Sequence, residues 1–312
     1  MNVLGDLGII FNTTLMYATP LIFAAMGSMF CEKAGVVNVG IEGMMTVGAF
    51  AGATATLWSH NPWIGLLMAG VFGMLFALLH GIACLNFHAD QTISGVAINF
   101  LAAGVTVFAC KLFFDGSTMT PPIELDEKIP RFFAGVFETG SFSDNVFSTY
   151  ATVYISFIVV LIAWFVLYKM RFGLRVRSVG ENPAAADTLG IDVYWVRMIA
   201  VLLSGFLSGL GGASITLATV SAFRPTVIAG QGFIAIAAVI FGKYKPKMTM
   251  FACLLFGLCN GVAAYLGNPR VGVPIAEQLL SLLPYAITLI LLLFMGRSVA
   301  PGASGKPYKK AG

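Results

Sequence analysis

Charged residues are scarce in this sequence, and their scarcity excludes an ordinary water-soluble domain. Asp, Glu, Lys and Arg together make up only 10% of the chain, whereas soluble domains average about 25%. Hydrophobic residues account for 58% of the 312 residues, and the mean hydropathy is +0.88. Because so few charged side chains cannot cover a surface in water, the composition predicts a protein embedded in a membrane.

Motifs for chemistry are also missing. The five cysteines show neither the spacing of a disulfide framework nor a CxxC or Cys/His cluster for a metal. The phosphate-binding motif GxxxxGK[ST] does not occur, and its nearest fragment, Gly242–Lys243, continues with Tyr244. No HExxH motif and no nucleophile beside a base can be recognised. The sequence therefore predicts no metal, no cofactor and no enzymatic activity for this chain. Its net charge of +4 comes from basic residues beside apolar runs, which favours membrane topology over nucleic-acid binding.

Long apolar runs recur along the whole chain. Since a helix needs about 20 apolar residues to cross a bilayer, the runs predict an all-α membrane protein with about nine segments, in a range of eight to ten. The first run is expected to be retained, because Met1–Gly8 lacks the basic residues of a cleaved signal. We expect one permease-like membrane domain, 1–296, and a basic tail, 297–312. The predicted segments are Leu7–Phe30, Val36–Trp58, Trp63–Leu85, Thr92–Phe114, Tyr150–Tyr168, Val196–Val220, Val227–Phe241, Met248–Leu266 and Leu279–Met295.

The uneven distribution of Lys and Arg predicts the orientation of the chain. If the loop 169–195 is cytoplasmic, 13 of the 18 basic residues lie inside and 5 lie outside. The N-terminus is then external and the C-terminus cytoplasmic. The cytoplasmic residues are Lys33, Lys169, Arg171, Arg175, Arg177, Arg197, Lys243, Lys245, Lys247, Arg297, Lys306, Lys309 and Lys310, and the external residues are Lys111, Lys128, Arg131, Arg224 and Arg270.

The loop Lys169–Val193 contains a short helix with recognisable ends. Asn182 is a good N-cap, and Pro183 suits the first helical position. Ala184–Ala186 have high helix propensity, and Gly190 can end the helix in the left-handed conformation. Such a helix is about 10 Å long, too short to cross a membrane. We expect it to lie exposed in the cytoplasm, either as an ordinary loop helix or as a contact for a partner.

Two stretches interrupt the apolar pattern inside the predicted membrane domain. In Gly35–Gly52, the polar residues Asn38, Glu42 and Thr46 recur at i, i+4 spacing, which predicts that they share one helical face. A carboxylate in such a segment usually faces a cavity or a partner, although Glu42 could also be hydrated near the cytoplasmic interface. The second stretch, Ile228–Pro246, is short and opens on glycines, which is typical of broken helices at the binding site of transporters with inverted repeats. The candidate residues of the substrate path are Asn38, Glu42, Thr46, Asn99, Gln231 and Phe233.

One long external connection, 115–149, contains prolines, charges and a second apolar patch. Loops of this length are usually functional or disordered. It could be a solvated spacer, or it could form a surface that receives a delivery protein.

Four motifs occur in an order that resembles the permeases of ABC importers in the nucleoside and simple-sugar branch. They read NVGIEGMMTVGAFAG, DQTISGVAINFLAAG, VGENPAAADTLGI and GQGFIAIAAVIFGKYKP. The resemblance implies a type II importer-like bundle in the bacterial inner membrane, paired with a second, homologous permease as a heterodimer. It also implies a cytoplasmic ATPase, which would bind ATP and Mg²⁺, and an extracytoplasmic nucleoside-binding lipoprotein. The residues implied to contact the ATPase are Glu181, Asn182, Pro183, Ala184, Ala185, Ala186, Asp187 and Gly190.

Two other functions stay open at this point. The chain could be an ABC permease for simple sugars, since sugar permeases share the VGENPAAADTLGI loop, although the NxGxEGMM form favours nucleosides. It could also be a secondary transporter in which Glu42 exchanges a proton. ATP dependence of uptake in sealed vesicles without a proton gradient separates the ABC importer from the proton-coupled carrier.

Overall fold

The computed structural model describes residues 3–138, 141–267, 282, 286–287 and 300–309, and this part of the chain is helical, with a single isolated β-bridge between Arg131 and Tyr150. Short π-helical turns, Ile82–Asn86 and Ile215–Val220, extend α3 and α9. The α-helices are α1 (Val3–Lys33), α2 (Ile41–Ser59), α3 (Pro62–Gly81), α4 (Gln91–Phe113), α5 (Phe142–Phe147), α6 (Ala151–Lys169), α7 (Arg171–Glu181), α8 (Pro183–Thr188), α9 (Val193–Ser214), α10 (Gln231–Phe241) and α11 (Pro246–Leu266).

Six helices of the described part are long and apolar enough to cross a bilayer. They correspond to the first, third, fourth, fifth, sixth and eighth predicted segments. The second and seventh predicted segments overlap α2 and α10, which are not among the six, and only residues 282, 286 and 287 of the ninth, Leu279–Met295, are described. A helical membrane fold is confirmed for the residues that the structure describes, while the count of nine and the orientation stay predictions. The six spans are Gly5–Lys33, Pro62–Asn86, Gln91–Phe113, Ala151–Lys169, Val193–Val220 and Pro246–Leu266.

Helix α2 begins five residues later than predicted, and this corrects one inference about the polar face. Residues 34–40 are not helical, and within them the Asn38 side-chain oxygen accepts the N–H of Gly40 at 3.0 Å. Such a local side-chain bond satisfies the backbone without a helix. Asn38 therefore precedes the helix, and the prediction that it shares a helical face with Glu42 and Thr46 is wrong.

The centre of the bundle is formed by α9, which packs closely on α1, α2 and α3, while α2 and α3 also pack on each other. The close approach depends on small residues. A side chain added at Gly48 of α2 would collide with the backbone of Gly209 in α9. Small residues let helix backbones approach in a membrane, where apolar burial drives association little. Most residues of α2 are buried, because the helix lies between α3 and α9.

Helix α10 spans only part of the predicted seventh segment. Its 11 residues correspond to about 16 Å, roughly half the thickness of a hydrocarbon core. The chain before it is irregular, with positive φ angles of 67° at Ser221, 50° at Ala229 and 84° at Gly230. The seventh segment is therefore a half-helix preceded by non-helical chain.

The long connection 115–149, predicted to be external, is attached to the bundle, although its sequence suggested no structure. The N–H of Ile123 donates to the carbonyl of Ser221 at 2.7 Å, and α5 contacts α1 through a bond from Asn12 to the carbonyl of Asn145. The imidazole of His60, just after α2, pairs with the carboxylate of Glu127. This hydrogen bond and the negative charge raise the pKa of His60. Whether the connection receives a delivery protein stays a prediction.

Candidate functional site

The carboxylate of Glu42 caps the N-terminus of the half-helix α10. Its Oε1 accepts the N–H of Gly230 and its Oε2 accepts the N–H of Gly232, both at 2.7 Å. The first N–H groups of a helix have no partner within the helix, and the helix dipole favours a negative charge at that end. Glu42 itself lies in the first turn of α2. One side chain therefore connects the beginnings of two helices.

Glycine is required on the α10 side of this contact. Gly230 has a φ of +84°, a region that other residues rarely adopt. A Cβ atom at Gly232 would lie 2.6 Å from the backbone nitrogen of Glu42 and 2.7 Å from its Cα. The GQG sequence thus allows the start of α10 to approach the backbone of α2.

The N-terminus of α2 is held by a side chain from α4. The Asn99 side-chain oxygen accepts the N–H of Gly43 at 2.8 Å, and its amide group donates to the carbonyl of Val39 at 3.1 Å. Asn38, in the connection before α2, donates to the hydroxyl of Ser204 in α9 at 3.0 Å. The start of α2 is therefore fixed by polar contacts with two neighbouring helices.

Five of the six predicted path residues lie at this junction of α2, α4, α9 and α10. The hydroxyl of Thr46 forms a hydrogen bond within its own helix, donating to the carbonyl of Glu42 at 2.8 Å. Gln231 begins α10, and its side-chain oxygen is buried without a hydrogen-bond partner among the described residues. The sixth residue, Phe233, leaves 49% of its surface exposed beside the junction. The sequence identified these residues as a candidate path, but their main observed contacts fix the ends of helices.

A second candidate site is the short helix α8, whose predicted ends are confirmed. The side-chain oxygen of Asn182 accepts the N–H of Ala185 at 3.1 Å. Gly190 ends the helix with a φ of +78°, and the following N–H, of Ile191, returns to the carbonyl of Ala186 at 3.1 Å. Ala186, on the inner side of the helix, is fully buried. The local signals of capping were therefore sufficient to place α8.

The outer face of α8 is small and apolar. Ala184 and Ala185 are exposed, and the side chain of Leu189 beside them is 79% exposed. Such a patch on an otherwise polar loop is typical of a protein contact. The preceding helix, α7, was not predicted from the sequence, although its buried residues Val176 and Val179 follow helical spacing.

Arg197, counted from the sequence only as a charge of the cytoplasmic side, is a buried structural residue. It is 1% exposed, and its Nε donates to the carbonyl of Ala34 at 3.2 Å. Its Nη1 donates to the carbonyl of Lys306 at 3.1 Å. A guanidinium within a hydrophobic span could have been recognised as a functional candidate, because such groups need partners. The sequence offered no indication of which carbonyls those partners are.

The C-terminal segment, 300–309, packs against α7, α8 and the connection before α2. The N–H of Ala303 donates to the carbonyl of Gly180 at 2.9 Å, and the N–H of Gly305 donates to the carbonyl of Gly35 at 3.2 Å. The hydroxyl of Tyr308 donates to Asp187 of α8 at 2.9 Å. Burial and this bond to a carboxylate raise the pKa of Tyr308. The described part of the predicted tail is therefore docked on the bundle.

Broken helices within a membrane bundle are typical of transporters. This bundle contains a half-helix, α10, and a short exposed helix, α8, between two spans, and both features fit a transport permease. The chain belongs to the family described as branched-chain amino acid transport system / permease component, whose model matches residues 10–294. It is a multi-pass protein of the bacterial plasma membrane. This membership confirms the resemblance to permeases inferred from the four motifs, and it identifies a transport component and no enzymatic family.

Several relatives match over nearly their whole length. The chain is 41% identical to the nucleoside ABC transporter permease protein NupC of Lactococcus lactis subsp. cremoris, with 100% of both chains covered. It is also 41% identical to the guanosine ABC transporter permease protein NupQ of Bacillus subtilis, covering 99% of each. A putative glucose ABC transporter permease protein, TsgC13 of Haloferax volcanii, is 32% identical over 90% of this chain and 89% of its own length.

Proposed function

We propose that this chain is a permease subunit of an ATP-driven ABC importer for nucleosides. The observation that carries the proposal is the identity of 41% over the full length with two relatives named for nucleoside and guanosine transport. The relative named for glucose is less similar, at 32%, which favours nucleosides over simple sugars. The test is uptake of radiolabelled guanosine into cells with and without the gene. Excess unlabelled nucleoside should abolish the uptake, whereas uptake displaced by glucose and not by nucleosides contradicts the proposal.

The proposed importer contains three further subunits. A second, homologous permease would complete the translocation path, a cytoplasmic ATPase would bind ATP and Mg²⁺, and an extracytoplasmic lipoprotein would deliver the nucleoside. The exposed face of α8, formed by Ala184, Ala185 and Leu189, is suited to seat in the ATPase. Affinity purification of the tagged chain should recover an ATPase subunit, and recovery of the chain without one would contradict this assembly.

The contacts around Arg197 support a route for coupling. ATPase closure would displace α8, which is attached through Asp187 to Tyr308 of the C-terminal segment. Arg197 connects this segment to Ala34, at the start of the connection that leads to α2 and Glu42. The route therefore runs from α8 through the C-terminal segment to the junction of α2 and α10.

Replacing Arg197 with Met is expected to lower ATP-driven uptake about tenfold, equivalent to ~1.4 kcal/mol in the barrier. The carbonyls of Ala34 and Lys306 would lose their charged donor. Backbone bonds such as that from Gly305 to Gly35 would remain, but the side-chain connection from the C-terminal segment to Ala34 would be lost. Lys306→Met is a matched control, because it removes the same charge but keeps the backbone carbonyl. Initial uptake is measured at equal membrane levels, and transport by Arg197→Met at the level of the control would refute the route.

The geometry of Glu42 also bears on the proton-coupled alternative. Both carboxylate oxygens accept backbone N–H groups, an arrangement suited to the ionised form, which is an acceptor only. A proton on either oxygen would make that oxygen a weaker acceptor for the backbone N–H group it receives. This supports a structural role for Glu42 over proton exchange during each transport cycle.

The proposed orientation predicts which positions are accessible from each side. A cysteine replacing the exposed Asp126 should react with an impermeant maleimide in intact cells. A cysteine replacing Thr188 at the end of α8 should react only after permeabilisation. The five native cysteines are buried, so their background labelling should be low. The reverse pattern of labelling would overturn the orientation.

A further inference from the structure

A groove between α10 and α11 combines an apolar wall with a basic rim. Its volume is about 420 Å³, within the roughly 300–1,000 Å³ typical of small-molecule sites. Met248 and Phe251 on its wall are 57% and 59% exposed. The lining includes Lys243, Lys245, Met248, Phe251, Ala252 and Leu255.

The two lysines at the rim are exposed and lack an acidic partner. Among the described residues, no carboxylate forms an ion pair with Lys243 or Lys245. The described residues that line the groove include no Asp or Glu. The rim therefore carries two positive charges directly beside an apolar surface.

The turn that presents these lysines is held in an unusual conformation. Lys243 and Tyr244 have positive φ angles of 51° and 56°, which non-glycine residues rarely adopt. Tyr244 is 5% exposed, and the ammonium group of Lys33 lies 5.7 Å from the centre of its ring. Burial and the neighbouring Glu32 carboxylate raise the pKa of Tyr244 to about 12. With Tyr244 fixed inward, Lys243 and Lys245 are left at the surface.

A nearby aromatic contact indicates the level of the membrane surface. Lys247, in the first turn of α11, lies with its ammonium group 5.0 Å from the ring centre of Trp164 in α6. Trp and Lys are typical of the membrane–water interface, where lipid headgroups lie. Lys243 and Lys245 are only a few residues away along the chain, so their ammonium groups lie near headgroup level while the groove runs along the apolar part of α11.

We propose that this groove binds an anionic phospholipid, with the phosphate between Lys243 and Lys245 and an acyl chain against Phe251, Ala252 and Leu255. The combination of unpaired basic groups and an apolar groove matches the two parts of such a lipid. Basic pockets between membrane helices commonly recognise anionic headgroups. In the proposed orientation, the lipid belongs to the cytoplasmic leaflet. Because it contacts α10 directly, it would support the half-helix at the end opposite to Glu42.

Native mass spectrometry of the full-length chain in a neutral detergent tests this site. Titration with dioleoyl phosphatidylglycerol should give one bound lipid at a concentration at least tenfold below that needed for dioleoyl phosphatidylcholine. The double variant Lys243→Gln/Lys245→Gln should lose this preference. Lys247→Gln/Lys306→Gln removes equal charge from exposed positions outside the groove and should keep the preference. Ala252→Trp, which fills the apolar part, should weaken binding of phosphatidylglycerol about tenfold.

Three results would overturn the proposal. The wild-type chain could bind both lipids equally, which would exclude recognition of the headgroup. The two double variants could lose the preference equally, which would indicate only general attraction by surface charge. Ala252→Trp could bind phosphatidylglycerol as the wild type does, which would exclude the groove. The lysine variants change exposed side chains only, so they keep the test decisive if the Trp variant cannot be purified.

Discussion

Replacing Ala185 with Trp is expected to abolish nucleoside uptake and substrate-stimulated ATP hydrolysis while the protein stays in the membrane. Ala185 is exposed in α8, and the cap at Asn182 uses only its backbone N–H. A large side chain at this position can therefore point into solvent without disturbing the fold. It would, however, occupy the space into which the proposed ATPase groove closes around α8.

The control for this variant is Ala185→Ser, which keeps a small side chain on the same face. It should retain at least half of the wild-type uptake. Membrane levels are compared by immunoblot, and recovery of the ATPase with the tagged chain is measured for both variants. Wild-type transport by Ala185→Trp would exclude α8 from coupling.

Replacing Glu42 with Gln is expected to reduce uptake about tenfold, or ~1.4 kcal/mol in the barrier. The amide keeps one acceptor oxygen, but its NH₂ group would face a backbone N–H of Gly230 or Gly232. Hydrogen bonds to charged groups contribute about 1.5–3 kcal/mol each, so the loss of one bond and of the charge would loosen the start of α10. The affinity of the delivery protein for nucleosides should not change, because the change lies within the permease.

Glu124→Gln is the matched control, since Glu124 is an exposed carboxylate in the connection 115–149. If Glu42 were only a hydrated residue at the interface, its replacement would leave uptake within about twofold, ~0.4 kcal/mol. Initial rates at equal membrane levels distinguish the two results. Equal uptake by both variants would contradict the role of Glu42 as the connection between α2 and α10.

Local signals in the sequence predicted local structure well. The ends of α8 depend on contacts within a few residues, such as the bond between Asn182 and Ala185, and cap chemistry therefore identified them. The apolar run from Val36 to Trp58, by contrast, gave no indication that the helix begins only at Ile41. Hydropathy indicates whether a segment can lie in the membrane. It does not indicate which of the buried residues are helical.

Contacts between distant parts of the chain could not be predicted from the pattern. Glu42 and Gly230 are 188 residues apart, and Arg197 and Lys306 are 109 apart. The sequence did identify Glu42 and the GQG stretch as unusual, because polar groups and glycines are costly in a span. It could not show that one caps the other, since that depends on how α2 and α10 pack. Arg197 was recognisable as a charge in a span, but its partners are backbone carbonyls, and the sequence gives no sign of which ones.

The central claim is that this chain conducts nucleosides inward under the control of an ATPase. The most direct measurement is guanosine uptake into proteoliposomes that contain the importer copurified through this chain, with the delivery protein added outside and ATP enclosed. Uptake should require hydrolysable ATP, continue when a protonophore removes any proton gradient, and stop in the Ala185→Trp complex. Uptake that proceeds without ATP and is driven by an imposed proton gradient would contradict this claim.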